Sequence, residues 1–143
     1  MSKWNKEKFL IDLEENCSRE VVKITKEIIK FSENNSEHLS WGRGSEHGTM
    51  TYRCFSDVGL LPLFHINSEG NINLQINFLR NKDIPKMVLR DMVVKLESNF
   101  MREYDTEMYP NDTFEPIEEL FHTKSQITKF LKTIEGCAYR LKQ

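Results

Sequence analysis

The chain is short of several things that would narrow its function. It has 143 residues, and no run approaches the ~18 apolar residues that span a bilayer. The N-terminal residues are charged and lead into an amphipathic segment, so no signal-peptide core is read and a cytoplasmic location is expected, with no membrane association. Only three cysteines occur, Cys17, Cys54 and Cys137. They are odd in number and widely spaced, which excludes a disulfide framework and suits buried thiols in a reducing compartment. Charge of one sign is missing too. Lys and Arg number 20 against 22 Asp and Glu, a formal net charge of -2, so nucleic-acid binding by bulk electrostatics is excluded and only a local basic patch could support it.

Metal and cofactor chemistry are equally thin. His38, His47, His65 and His122 have no tight ligand spacing between them or with the cysteines, so no metal site is expected. No catalytic signature surrounds any thiol. A metal-dependent nuclease would follow a carboxylate with Glu-x-Lys, because two acids hold the ion while the lysine steadies water. Asp57 and Glu69 are the nearest acids, but Gly70 and Asn71 follow Glu69. No cofactor is expected.

What is present is a period that changes twice. Over residues 6–34, Phe9, Leu13 and Cys17, then Val21, Ile24, Ile28 and Phe31, recur at helical spacing, with an interruption at which Asn16 or Ser18 can cap a second helix. Over residues 38–80 the period becomes two. Ile72, Leu74, Ile76 and Phe78 alternate with Asn71, Asn73, Gln75 and Asn77, which predicts a strand through Phe78 with the amides on its wet face. A turn at 67–71 makes that strand a hairpin with residues 60–66, where Pro62 belongs at a strand start or an edge. Residues 49–55 supply a further strand. Helical spacing returns after Asp83, with Pro85 in the first turn, and residues 83–143 read as a helical region. Residues 104–116 read as an extended, acidic connection, and Thr123 caps a last helix bearing Ile127, Phe130, Ile134 and Leu141, within which Gly136 allows close packing. The expectation is one domain over 1–143 of α+β class, a small antiparallel sheet of three or four strands packed by N-terminal helices and two C-terminal helices.

Half of the six glycines fall near residues 41–48, where Trp41, Gly42, Arg43, Gly44, His47 and Gly48 lie. A phosphate loop would end in Lys-Ser/Thr or open a helix, and this one does neither, so a hairpin that lets Trp41 pack on the sheet is the plainer reading. The candidate binding residues are Trp41, Arg43, Gly44, His47, Arg53, Asn73, Gln75 and Asn77. Amides on a sheet face meet base edges or peptide, Arg43, Arg53 and Arg80 could frame them with positive charge, and Trp41 or Tyr52 could add stacking. Amides also serve as ordinary solvent-facing residues, and that reading stays open.

The run Leu39, Ser40, Trp41, Gly42, Arg43 and Gly44, then Gly48, Phe64, the turn at Gly70 and the row Ile72, Leu74, Ile76, Phe78 and Leu79, resembles a small Trp-Gly-x-Gly hairpin module of poorly characterised bacterial proteins. That module is found alone or beside restriction-endonuclease-type domains. The likeness covers roughly residues 38–142 and departs from the pattern at Thr49 and Met50, where a serine and an aromatic residue are expected. It implies a bacterial or phage origin and an accessory role beside nucleic-acid processing or defence against foreign DNA, with no catalytic residues to carry over. Three function classes stand: a non-enzymatic recognition module for nucleic acid or a nuclease-type partner, an interaction or inhibitory protein whose acidic stretches meet a basic partner, and an enzyme without a legible motif.

Overall fold

In a computed structural model, residues 4–42 and 47–143 are described. Two helices open the chain, α1 (Lys6–Asn16) and α2 (Arg19–Asn35). The break between them is set by caps. The Asn5 side chain accepts from the Lys8 amide at the start of α1, and the Ser18 hydroxyl accepts from the Val21 amide at the start of α2. Five strands follow, β1 (His38–Trp41), β2 (Thr49–Ser56), β3 (Gly59–Asn67), β4 (Asn71–Leu74) and β5 (Phe114–Pro116). They form one sheet in the order β1-β2-β3-β4-β5, every pairing antiparallel. Between β4 and β5 lie α3 (Ile76–Arg80) and α4 (Lys86–Phe100). After β5 come α5 (Ile117–Leu120) and α6 (Lys124–Lys142).

The α+β class stands, with a sheet larger than expected because β5 is drawn from the 104–116 connection. The hairpin turn at 67–71 forms as read. Gly70 takes φ +85°, and the Asn67 side chain accepts from the amides of Glu69 and Asn71. The strand that follows is shorter than its alternation implies. It ends at Leu74, and Ile76 to Arg80 is a helical turn. The cause is distant in sequence: the Asp112 carboxylate accepts from the amides of Asn77 (2.7 Å) and Phe78 (3.0 Å), satisfying the donors that open α3. Pro62 is not at a strand start, but it lies outside the stretch of β3 that β4 pairs (residues 64–67), so only β2 flanks it. It sits inside β3 opposite Arg53, where the register with β2 shifts, and this bulge excuses the ladder amide that proline lacks.

One face of the sheet carries Met50, Tyr52, Phe64, Ile66 and Ile72, all fully buried. Helices cover this face through an aromatic chain. Phe9 of α1 meets Trp41 edge-on at 5.3 Å, Phe31 of α2 stacks on Tyr52 at 6.0 Å, and Phe130 of α6 meets Phe64 at 5.3 Å. Phe100 of α4 and Phe121 pack on one another at 5.0 Å and on Phe130. The last helix is capped by Thr123 as expected, and Gln126 completes a capping box with it. Gly136, however, is exposed on α6. A Cβ there would meet nothing within 4 Å, so close packing is not its role.

Candidate functional site

The opposite face of the sheet is polar. Cross-strand partners share a face, and the register lines up Ser40, Thr51, His65, Asn73 and Phe114 as a single rung across all five strands. Beside it on β1 and β2 lies the pair His38 and Arg53, and further along, the pair Phe55 and Leu60. The rung is wired laterally. Arg53 Nη1 donates to Ser40 Oγ at 2.5 Å, Thr51 Oγ1 lies 2.7 Å from His65 Nδ1, and Gln75 Nε2 donates to Asn73 Oδ1 at 2.8 Å. Gln75 also hydrogen-bonds the His65 ring and favours its protonated form. Burial of His65 nevertheless wins, aided by the neighbouring Arg53 charge, and holds the imidazole below its ordinary pKa against the opposing pull of Gln75 and Asp112.

Thr51, Asn73 and Gln75 are buried among their neighbours, whereas Phe55 (49% exposed) and Phe114 (44%) stand out at separate places on this face. At the β2–β3 turn Val58 is also exposed. Among the described residues the strands contain one acid, Glu115. It pairs with Ile72, so it faces the helical side, where it accepts from the Tyr104 hydroxyl at 3.2 Å. Burial there raises the Glu115 carboxyl above its ordinary range. Among the described residues the polar face thus combines one arginine, two histidines, hydroxyls, amides and two solvent-facing phenyl rings, and no strand contributes a carboxylate to it.

Three of the residues expected from sequence, Arg53, Asn73 and Gln75, meet on this face. Asn73 and Gln75 are not solvent-facing, however. The chain turns into α3 after Leu74 and folds Gln75 back onto Asn73 and His65. Asn77 is in α3, where its side chain donates to the Tyr109 carbonyl and accepts from Arg80. Arg80 is spent there as well, reaching the Tyr104 carbonyl, and Lys82 sits 4.6 Å above the Phe78 ring. Trp41 and Tyr52 lie on the helical face and cannot stack on anything bound to the polar one. Arg43 and Gly44 lie outside the described residues.

His47 belongs to a separate cluster. Its Nδ1 is 3.1 Å from Asp12 Oδ2 and its Nε2 is 3.2 Å from Glu69 Oε2. The Ser68 hydroxyl donates to the same Asp12 oxygen and accepts from the Gly48 amide at 2.9 Å, which ties α1 to the glycine loop and to the β3–β4 turn. Burial alone would raise the Asp12 carboxyl, but the hydrogen bonds from Ser68 and His47 hold it below its ordinary pKa. This is a brace between elements.

Ser40, Thr51, His65, Phe55 and Phe114 escape a reading centred on the amides. The signal for the first members is the same period of two: in β2, Thr49, Thr51, Arg53 and Phe55 alternate with Met50, Tyr52 and Cys54. Phe114 had no such signal, because β5 has three residues.

Among the described residues, no three His, Cys, Asp or Glu side chains gather where a metal ion could sit. Burial pushes the Cys54 thiol up to about 11 and Cys137 up to about 12, so both stay protonated at neutral pH and are poor nucleophiles. No protein-family model, no curated protein and no solved structure matches the chain.

Proposed function

We propose that this chain is a non-enzymatic recognition module that binds single-stranded nucleic acid across the polar face of its sheet. The observation that carries the reading is the five-strand rung from Ser40 to Phe114, flanked by Arg53 and Phe55 and free of strand carboxylates. Unpaired bases offer π faces that stack on exposed phenyl rings, here Phe55 and Phe114. Arg53 supplies phosphate contact, and the hydroxyl and amide groups beside it meet base edges. A duplex offers no free base face to those rings. The resemblance to the Trp-Gly-x-Gly hairpin module points the same way, toward an accessory role in nucleic-acid processing or in defence against foreign DNA.

With so few cations on this face the binding is weak and shallow in salt, the logarithm of the association constant falling as if roughly one to three phosphates were neutralised. The test is a fluorescence titration with single-stranded RNA and DNA of mixed sequence at ~50 mM salt, where phosphate contacts are still favoured. Phe55→Ala and Phe114→Ala are each expected to lose about 1–3 kcal/mol of binding, and Arg53→Ala to lower the salt slope by about one. No binding of either strand type, or equal binding by the Phe55 and Phe114 variants, refutes the proposal.

A further inference from the structure

The solvent side of α4 carries exposed apolar residues among its charged ones, where a surface helix is ordinarily polar. Val88, Met92, Leu96 and Phe100 point into the core, as the helical period requires. On the opposite side, spaced by seven residues, stand Met87 (70% exposed), Val94 (54%) and, in the left-handed residue that ends the helix, Met101 (86%). This ridge is flanked by two open grooves. One, of about 450 Å³, runs between α4 and α6 and is lined by Val94, Lys95, Lys129 and Lys132 with no carboxylate. The other, of about 420 Å³, is lined by Leu89, Val93, Lys86, Arg90 and Arg80, with Glu97 and Asp105 also on its wall.

The cations are largely uncommitted. Lys95 pairs with Asp91 at 2.9 Å, whereas Lys86, Arg90, Lys129 and Lys132 make no ion pair among the described residues. The acids of the second groove are engaged, Glu97 accepting from the Tyr104 amide and Asp105 from that of Met108. A ridge of three apolar residues at seven-residue spacing between two grooves is a template on which another helix seats its own apolar stripe, and methionines adapt to the shape of what arrives. Cations on both flanks select the charge of that helix.

We infer that the outer face of α4 is a docking surface for an acidic amphipathic helix of a partner protein, lying along α4 with leucine-type residues on the Met87, Val94 and Met101 ridge and carboxylates toward Lys86 and Arg90 on one flank and Lys95, Lys129 and Lys132 on the other. A second copy of this chain is a poor occupant, since it would bring the same cations against themselves. The α4 layer packs on α6 and α3, so the surface is distinct from the polar face of the sheet and does not depend on what that face binds.

The test uses the full chain labelled with ¹⁵N and a synthetic helical peptide of about four turns, matched to the 15 residues of α4, with leucine at seven-residue spacing and glutamate on both flanks. Expected are amide shift changes confined to α4 and the facing side of α6, affinity reduced at least tenfold by Val94→Asp and by Lys129→Glu with Lys132→Glu, and binding by the charge-reversed variant to a lysine-flanked peptide instead. Thermal melts confirm that these exposed substitutions leave the fold intact. The proposal is overturned by no binding at ~1 mM peptide, by shifts on the sheet, or by equal binding of a scrambled peptide of the same composition. It is overturned equally by a single-stranded oligonucleotide that perturbs the same residues, or by self-association of the chain through α4 that Val94→Asp abolishes.

Discussion

Replacing Gly136 by alanine is expected to stabilise the protein, while the same exchange at Gly70 should damage it. Gly136 lies inside α6 on its exposed side, and a Cβ built there has no neighbour within 4 Å. Nothing opposes the intrinsic preference of a helix interior for alanine, about 0.8–1 kcal/mol, part of which comes from restricting the unfolded chain. For a domain of this size that is a rise in melting temperature of about 2–5 °C. At Gly70 φ is +85°, and a Cβ would lie 2.8 Å from Sγ of Cys17, which ends α1 and packs against the core, and 3.0 Å from Cγ1 of Val21 on α2. Left-handed strain of about 1–2 kcal/mol adds to that overlap, so a loss above about 2 kcal/mol is expected. Gly48→Ala should destabilise as well, because a Cβ there would lie 2.5–3.0 Å from three atoms of the Trp4 ring. Urea denaturation of the three variants, with slopes unchanged from wild type, reads these differences directly. A destabilised Gly136→Ala protein would mean that α6 has a close neighbour the structure does not contain, and a neutral Gly70→Ala protein would refute the packing of the β3–β4 turn on α2.

Three more outcomes are expected. Leu74→Ala or Ile76→Ala should each cost about 2–5 kcal/mol in chemical denaturation, since both side chains are buried even though one ends a strand and the other starts a helix. Trp41→Ala should cost about 2–3 kcal/mol, below the range for a fully buried ring, because the indole is half-buried against Phe9, and oligonucleotide affinity should not change. His65→Asn should remove part of the acid sensitivity of folding. The folded-state pKa of His65 lies below that of the unfolded chain, so its contribution is complete above about pH 6.5 and is lost as pH falls through the folded value, a trend that urea melts across pH 5–7 resolve.

The legible parts of this fold are those fixed by near neighbours. Ser18 and Thr123 announce helix starts because a cap acts within three residues, and Asn67 with Gly70 announces a turn for the same reason. The end of β4 was illegible. Ile72, Leu74, Ile76 and Phe78 keep a strand's alternation, yet Ile76 and Leu79 also have the three-residue spacing of a helical turn, and Asp112, 35 residues from Asn77, decides between them. The same holds for β5, a three-residue strand that exists only because β4 offers a free edge. At the candidate site Arg53 was legible from its place in a β-rich run, whereas the convergence of His65, Gln75 and Thr51 on one another depends on the register between strands, which the proline bulge at Arg53 adjusts.

The order of the sheet has a consequence for how the chain is made. Because each strand pairs only with the one before and the one after it, each of the first four can dock as it leaves the ribosome, and no stretch of open edge waits for a distant segment. The last strand breaks that rhythm: β4 presents a free edge until α3, α4 and the connection after them have emerged. During that interval the asparagines of β4 keep the edge polar, and only the arrival of Phe114 completes the rung, so the polar face is finished late, when most of the helical side already has its partners.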